Sequence, residues 1–171
     1  TGGGDYCEGD VAQLIFDLTG TGPWNVQYTN GTSPTYVAGV STPFTASITQ
    51  SGTYTITYLL DSTGCPTDSG SITGSATFNF HPAPVVDLGP DSTVCGDYLL
   101  DAGGGMASYS WSTGATTQSI TVISPATYSV TVTDTNGCEG EDEVVLEVNP
   151  NPIVNLPDTN MCDGGTVLFN A

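Results

Sequence analysis

The sequence predicts an all-β chain built as tandem two-sheet sandwich modules. Three observations carry that prediction. Val, Ile, Tyr, Phe and Trp recur in short runs that alternate with Thr and Ser, the pattern of strands with one buried and one wet face. No stretch of ten or more residues combines a 3.6-residue apolar period with capping signals, so almost no helix is expected. Lastly, the chain repeats itself. "HPAPVVDLGPDSTVC" (His81 to Cys95) recurs as "NPNPIVNLPDTNMC" (Asn149 to Cys162), and "SGTYTITYLLDSTGC" (Ser51 to Cys65) matches "SPATYSVTVTDTNGC" (Ser124 to Cys138).

The repeat sets the organisation. Residues 1–82 form a first module, 83–150 a second, and 151–171 the start of a third, truncated one. Each boundary reads x-Pro-x-Pro, which disfavours helix and stiffens the join. Trp24 and Tyr54 lie 30 residues apart, whereas Trp111 and Tyr128 lie 17 apart. The surplus in module one is enough for an additional edge strand.

Taken in order, the strands of module two are expected at Val85–Leu88, Tyr98–Asp101, Tyr109–Ser112, Ser119–Val122, Thr127–Thr133 and Glu143–Val148. Tyr128, Val130 and Val132 should face the core, as should Val144, Leu146 and Val148. In module one the same logic points Tyr54, Ile56 and Tyr58 inward, then Ile72, Ala76, Phe78 and Phe80. Trp24 and Trp111 are read as core residues in preference to sugar-stacking platforms.

Charge excludes several partners. The 171 residues include no Lys or Arg and 18 Asp or Glu, a formal charge of −18. Nucleic-acid backbones and anionic lipid surfaces find nothing to pair with. No 18-residue apolar run or signal peptide is present, so direct membrane insertion is not expected. The chain opens on Thr1 and reads as an internal fragment of something larger.

Each complete unit carries one cysteine near its start and one near its end. The simplest pairing is Cys7–Cys65 and Cys95–Cys138, with Cys162 left for a partner beyond Ala171. A metal site is the rival reading, but no C-x-x-C pair or nearby His supports it. Disulfides place the chain in an oxidising compartment, at a cell surface or outside the cell.

"VVDLGPDSTVC", "YSWSTGATTQ" and "TYSVTVTDTNGC" in module two, with "LTGTGPWNVQYTNG" and "SGTYTITYLLDSTGC" in module one, resemble the PKD-like and immunoglobulin-like repeats of very large Bacteroidota surface proteins. These include gliding-motility adhesins exported by the type IX system. The resemblance implies an adhesive or filamentous surface role. It also implies O-glycosylation at Asp-Ser/Thr motifs, here at Ser62 and Ser92. The immunoglobulin tyrosine corner sets Tyr two residues before a Cys. Here the gap is ten or eleven, so a disulfide is expected to tie strand ends or turns and not mid-sheet positions.

Other candidates are weaker. Asn30-Gly31-Thr32 fits the N-glycosylation sequon, although Asn-Gly is also a favoured hairpin turn. Asp134, Asn136 and Glu139, and separately Asp87 and Asp91, supply hard oxygen ligands of the kind Ca²⁺ takes, without EF-hand spacing. The competing reading is a solvated acidic turn. His81, the lone histidine, sits in the linker with no triad partners in sight. No cofactor is expected.

The function expected is therefore non-catalytic: a structural and adhesive repeat of a long extracellular filament. Its partners would be neighbouring repeats, surface polysaccharide or other cells. One alternative is a carbohydrate-binding module of a secreted protein, which a row of exposed Trp or Tyr would favour. Another is a self-assembling sheath or surface-layer subunit, in which the partial third unit completes a neighbour by strand addition.

Overall fold

The computed structural model describes residues 2–64, 66 and 71–151. Among these there are thirteen strands and no helix. They form two immunoglobulin-like β-sandwiches in tandem, each around its own apolar core. Cys65, Cys162 and the third unit from Pro152 onward lie outside the described residues.

The first sandwich holds β1 (Gly4–Cys7), β2 (Ala12–Phe16), β3 (Trp24–Thr29), β4 (Pro34–Val40), β5 (Phe44–Ile48), β6 (Gly52–Leu60) and β7 (Ala76–His81). One sheet has the order β1-β7-β6-β3-β4; the other is the β2-β5 pair. The second sandwich holds β8 (Ser92–Cys95), β9 (Tyr98–Asp101), β10 (Ser108–Trp111), β11 (Ser119–Val122), β12 (Ala126–Thr133) and β13 (Glu139–Asn149). Its sheets are β10-β12-β13-β8 and β11-β9. The two layouts match strand for strand except for β4, which lies at the sheet edge and has no counterpart in the second sandwich.

Alternation explains both cores. Along β12, Tyr128, Val130 and Val132 are buried while the intervening Ser and Thr residues face outward, and Val144 and Leu146 of β13 do the same. Trp24 and Trp111 are 6% and 3% exposed, so both fill the interior. The Trp111 indole Nε1 donates to the Thr117 carbonyl at 2.8 Å, satisfying the polar end of a buried ring. In module one the core is aromatic: Phe78 is fully buried and meets Tyr54 edge-on at 5.6 Å, and Phe16 packs against Tyr28 and Phe44. Tyr54 and Tyr128 donate their hydroxyls to the carbonyls of Gln50 and Ser124, four residues upstream in each case. This is tyrosine-corner geometry, present in both modules without the mid-sheet cysteine that usually follows it. Burial also pushes the Tyr54 hydroxyl above its ordinary pKa.

Two sequence expectations are corrected here. Val85–Leu88 is not a strand; the parallel strand paired with the end of β13 is Ser92–Cys95. Pro82 and Pro84 remove ladder donors from the linker. The Leu88 amide donates instead to Asp142 Oδ2 at 2.6 Å, and Asp91 Oδ1 accepts the Val145 amide. Two carboxylates thus do what a strand partner would do. In β6, Tyr58 points outward and Leu59 inward. A register irregularity opposite Gln27 and Tyr28 leaves Thr57 as an extra residue with no register partner in β3, its hydroxyl donating to the Gln27 carbonyl, and one extra residue in a strand flips every side chain after it.

Candidate functional site

The chemistry of this chain gathers where the two sandwiches meet. β1 runs parallel to β7, so Cys7 lies in register with His81, the last residue of β7. The Glu8 amide then donates to the His81 carbonyl at 2.8 Å. The β12–β13 turn of the second sandwich brings Cys138 to the same place. Its sulfur bonds to Cys7, with Cα atoms 5.5 Å apart, across 131 residues of sequence. Cys138 Sγ also lies 3.8 Å from the His81 carbonyl oxygen. The bond therefore crosses the joint between modules.

This corrects the expected pairing of Cys7 with Cys65 and of Cys95 with Cys138. The physical reason is strand length. Cys95 pairs with Asn149 at one end of β13, and Cys138 directly precedes Glu139 at the other. Eleven residue steps separate Cys138 from Asn149, about 36 Å at the usual strand rise, far beyond the 7 Å that a disulfide tolerates between Cα atoms. In module one, Cys7 lies beside the end of β7, near Gly52 at the start of β6, while the turn through Gly64 follows the far end of β6. Cys95 is a free, exposed thiol. The expectation that the bond joins a strand end to a turn does hold; what differs is that strand and turn belong to different modules.

Local structure presents each sulfur. Asp134 shapes the Cys138 turn: its Oδ1 accepts the amides of Asn136 and Cys138, both at 2.8 Å, and Gly137 supplies the positive φ of 87°. The Cys138 amide, followed by contributions from Asn136 and Gly137, holds the Asp134 carboxyl below its ordinary pKa. On the other side, Asp10 Oδ2 accepts the Cys7 amide at 2.9 Å. The linker fits against β13 because residue 140 is glycine: a Cβ there would collide with the Pro84 carbonyl. His81 Nε2 meets Asp5 Oδ1 at 2.9 Å, and Asn79 Nδ2 donates to the same oxygen. These two bonds, the His81 contact foremost, lower the Asp5 pKa. The histidine thus ties β7 to β1 within the first sandwich, beside Cys7, through an exposed carboxylate.

The other candidates are placed as follows. Among the described residues no three His, Cys, Asp or Glu side chains group as metal ligands. Asp134 and Asn136 share a turn, but the Asp134 oxygens are occupied by N–H donors, including Asn136 Nδ2 on Oδ2 at 3.1 Å. Glu139 opens β13. Asp87 accepts the Gly89 amide, and Asp91 the Val145 amide. Asp87, Asp91 and Asp134, three of the carboxylates singled out for calcium, therefore serve as backbone caps. Ser62 Oγ donates to Thr21 O at 3.0 Å, and Ser92 Oγ to Pro90 O at 2.8 Å. Asn30 sits in the β3–β4 hairpin, where its Oδ1 accepts the Thr32 amide and its Nδ2 points to Ser51 O at 3.5 Å.

Sequence reasoning missed one surface feature. Gln27 of β3 lies opposite Tyr36 of β4 on one side and Tyr58 of β6 on the other. The three side chains form a row across the outer sheet face, with Tyr36 57% and Tyr58 39% exposed. No periodicity signalled it, because Tyr58 reaches that face only through the irregularity in β6.

No protein-family profile and no curated protein matches the chain. Solved structures with a similar arrangement include DIP-gamma IG1+IG2, with 12% identity, TM-score 0.44, and coverage of 84% of this chain and 92% of that one. An I-band fragment of titin has 16% identity and TM-score 0.47, covering 86% of this chain and 63% of that one. SGBP-B of the Bacteroides ovatus mixed-linkage glucan utilization locus, solved in complex with a mixed-linkage heptasaccharide, has 17% identity and TM-score 0.25 over 86% of this chain and 44% of that one.

Proposed function

We propose that this chain is a non-catalytic, load-carrying segment of a long extracellular surface filament or adhesin. The observation that supports this reading is the Cys7–Cys138 bond across the joint. A pull on the two ends of the chain enters at Cys7, crosses the sulfurs and leaves at Cys138. Nearly everything between, which is most of both sandwiches, is bypassed by the covalent path. The Pro82–Pro84 linker adds stiffness. The acidic surface, without Lys or Arg, keeps neighbouring filaments apart and soluble.

Single-molecule pulling tests this reading. The 131-residue span corresponds to roughly 45 nm of extended chain. Under oxidising conditions that length should stay hidden; in the presence of a thiol reductant it should be released in two unfolding steps. Release of the full length from oxidised protein would sink the proposal.

A second reading, carbohydrate binding, is favoured by the Tyr36–Gln27–Tyr58 row. Two tyrosines one intervening strand apart stand about 10 Å from each other, a spacing that suits rings stacking on alternate sugars of an extended glycan. Soluble β-glucan oligosaccharides titrated into the chain would bind with an affinity that Tyr36→Ala and Tyr58→Ala each abolish. Binding unchanged in both variants would discard this reading.

A further inference from the structure

We propose that Cys95 is one half of a second inter-module disulfide, and that its partner is the cysteine closing an Asp-x-x-Gly-Cys turn in the module that docks against the end of β13. The first ground is structural equivalence. Cys95 ends β8 just as Cys7 ends β1; each strand runs parallel to the last strand of its own sandwich. Cys7 is in register with His81, and Cys95 with Asn149. The next amide donates to that partner's carbonyl in both modules, Glu8 to His81 and Gly96 to Asn149, each at 2.8 Å. His81 and Asn149 then lead into the same x-Pro-x-Pro joint.

The second ground is independent, and it identifies what Cys95 takes. At the equivalent position Cys7 is already bonded, and its partner is the turn cysteine of the following sandwich. Cys95 is unpaired and exposed at the corresponding end of the second sandwich.

The matching half is also written in this chain. Asp61-Ser62-Thr63-Gly64-Cys65 parallels Asp134-Thr135-Asn136-Gly137-Cys138. The Thr63 amide donates to Asp61 Oδ1 at 2.9 Å, as the Asn136 amide does to Asp134 Oδ1 at 2.8 Å. Gly64 and Gly137 donate to the Asp carbonyls at 3.2 Å in both turns, with φ of 80° and 87°. The turn that leads into Cys65 is therefore built like the one that offers Cys138. A second copy of this chain presents it, in head-to-tail order. The chemistry is thiol–disulfide exchange with a low-molecular-weight disulfide. The Cys95 and turn-cysteine thiols lose two electrons and two protons, one S–S bond forms, the reagent's S–S bond breaks, and two small thiols are released. The proposal goes beyond the filament reading, because it rests on the repeat register and not on what the filament binds.

The test incubates the full chain at high concentration in oxidised and reduced glutathione. Products are separated without reductant and digested with chymotrypsin and a Glu-specific protease. The expected result is an open-ended ladder of multimers in which Cys95 peptides are joined to Cys65 peptides, with Cys7–Cys138 retained within each copy. Cys95→Ser and Cys65→Ser should each remove the ladder while leaving Cys7–Cys138 in place. Cys95 recovered as a free thiol, joined to Cys95 of another copy, or joined to Cys138 or Cys162 would overturn the proposal. None of these results depends on the pulling experiment, so the two readings fail separately.

Discussion

Replacing Cys7 by serine removes the bond between the sandwiches, and its effect is expected to reach both of them. If module one unfolds while module two stays folded, the disulfide closes a loop from Cys7 to the linker. On the chain-entropy relation a loop of about 75 residues contributes about 4.5 kcal/mol. If module two unfolds alone, the loop runs from the linker to Cys138; a loop of about 57 residues contributes about 4 kcal/mol. Either loss would lower a melting midpoint by more than about 15 °C for modules of this size. Scanning calorimetry on Cys7→Ser and Cys138→Ser therefore has a distinctive expected result: the two variants behave alike, and both modules melt earlier in each. A bond confined to one sandwich behaves differently, with Cys7→Ser affecting only the first transition and Cys138→Ser only the second. Observation of that split would refute the inter-module assignment.

Four further outcomes follow from the packing and the charge. Phe78→Ala empties the centre of the first core and should cost about 3–5 kcal/mol in urea titration, with the second module's transition unmoved. Gly140→Ala places a methyl group against the Pro84 carbonyl; it should leave β12–β13 pairing intact by amide exchange while widening the inter-module angle distribution seen by small-angle scattering. Asp5, Asp101 and Asp134 all have folded pKa values lowered from 3.8, by contacts with His81, Gln118 and the Cys138 amide respectively. Their stabilisation is thus complete above the unfolded value and lost as pH falls through the lowered folded values, so the midpoint deficits of Asp5→Asn, Asp101→Asn and Asp134→Asn relative to the parent chain, measured at constant salt, should shrink below pH 3.8. At neutral pH, by contrast, added salt should raise the midpoints, because the formal charge of −18 has no basic side chains to offset it.

Much of the fold was legible because period-2 patterning is a local property. Tyr128, Val130 and Val132 alternate cleanly, and their strand pairs with β10 and β13 without interruption. The Tyr54–Tyr58 segment has the same pattern, but the irregularity opposite Gln27 is set by how β6 and β3 pair, which no single strand encodes. Val85–Leu88 looked like a strand on apolar content, and the Asp142 and Asp91 carboxylates that take its place act from far along the chain or across the sheet. The disulfide was hidden for a related reason. Pairing the cysteines nearest in sequence within each unit assumes that they share an end of the sandwich. A usable signal was nevertheless present: Cys138 leads directly into the strand that ends at the next joint, Pro150–Pro152, so it stands at the opposite end of the module, whereas Cys95 follows the first joint by eleven residues. Cysteines at opposite ends of one long strand must look to neighbouring modules for partners.

The arrangement of the joint is tested most directly by mapping the disulfides of the native chain without reduction. Trypsin finds no site here, so chymotryptic and Glu-specific peptides are needed. The predicted result is a single species linking the peptide that holds Cys7 to the one that holds Cys138, with Cys95 alkylated in the monomer. Recovery of Cys7 joined to Cys65, together with Cys95 joined to Cys138, would contradict it.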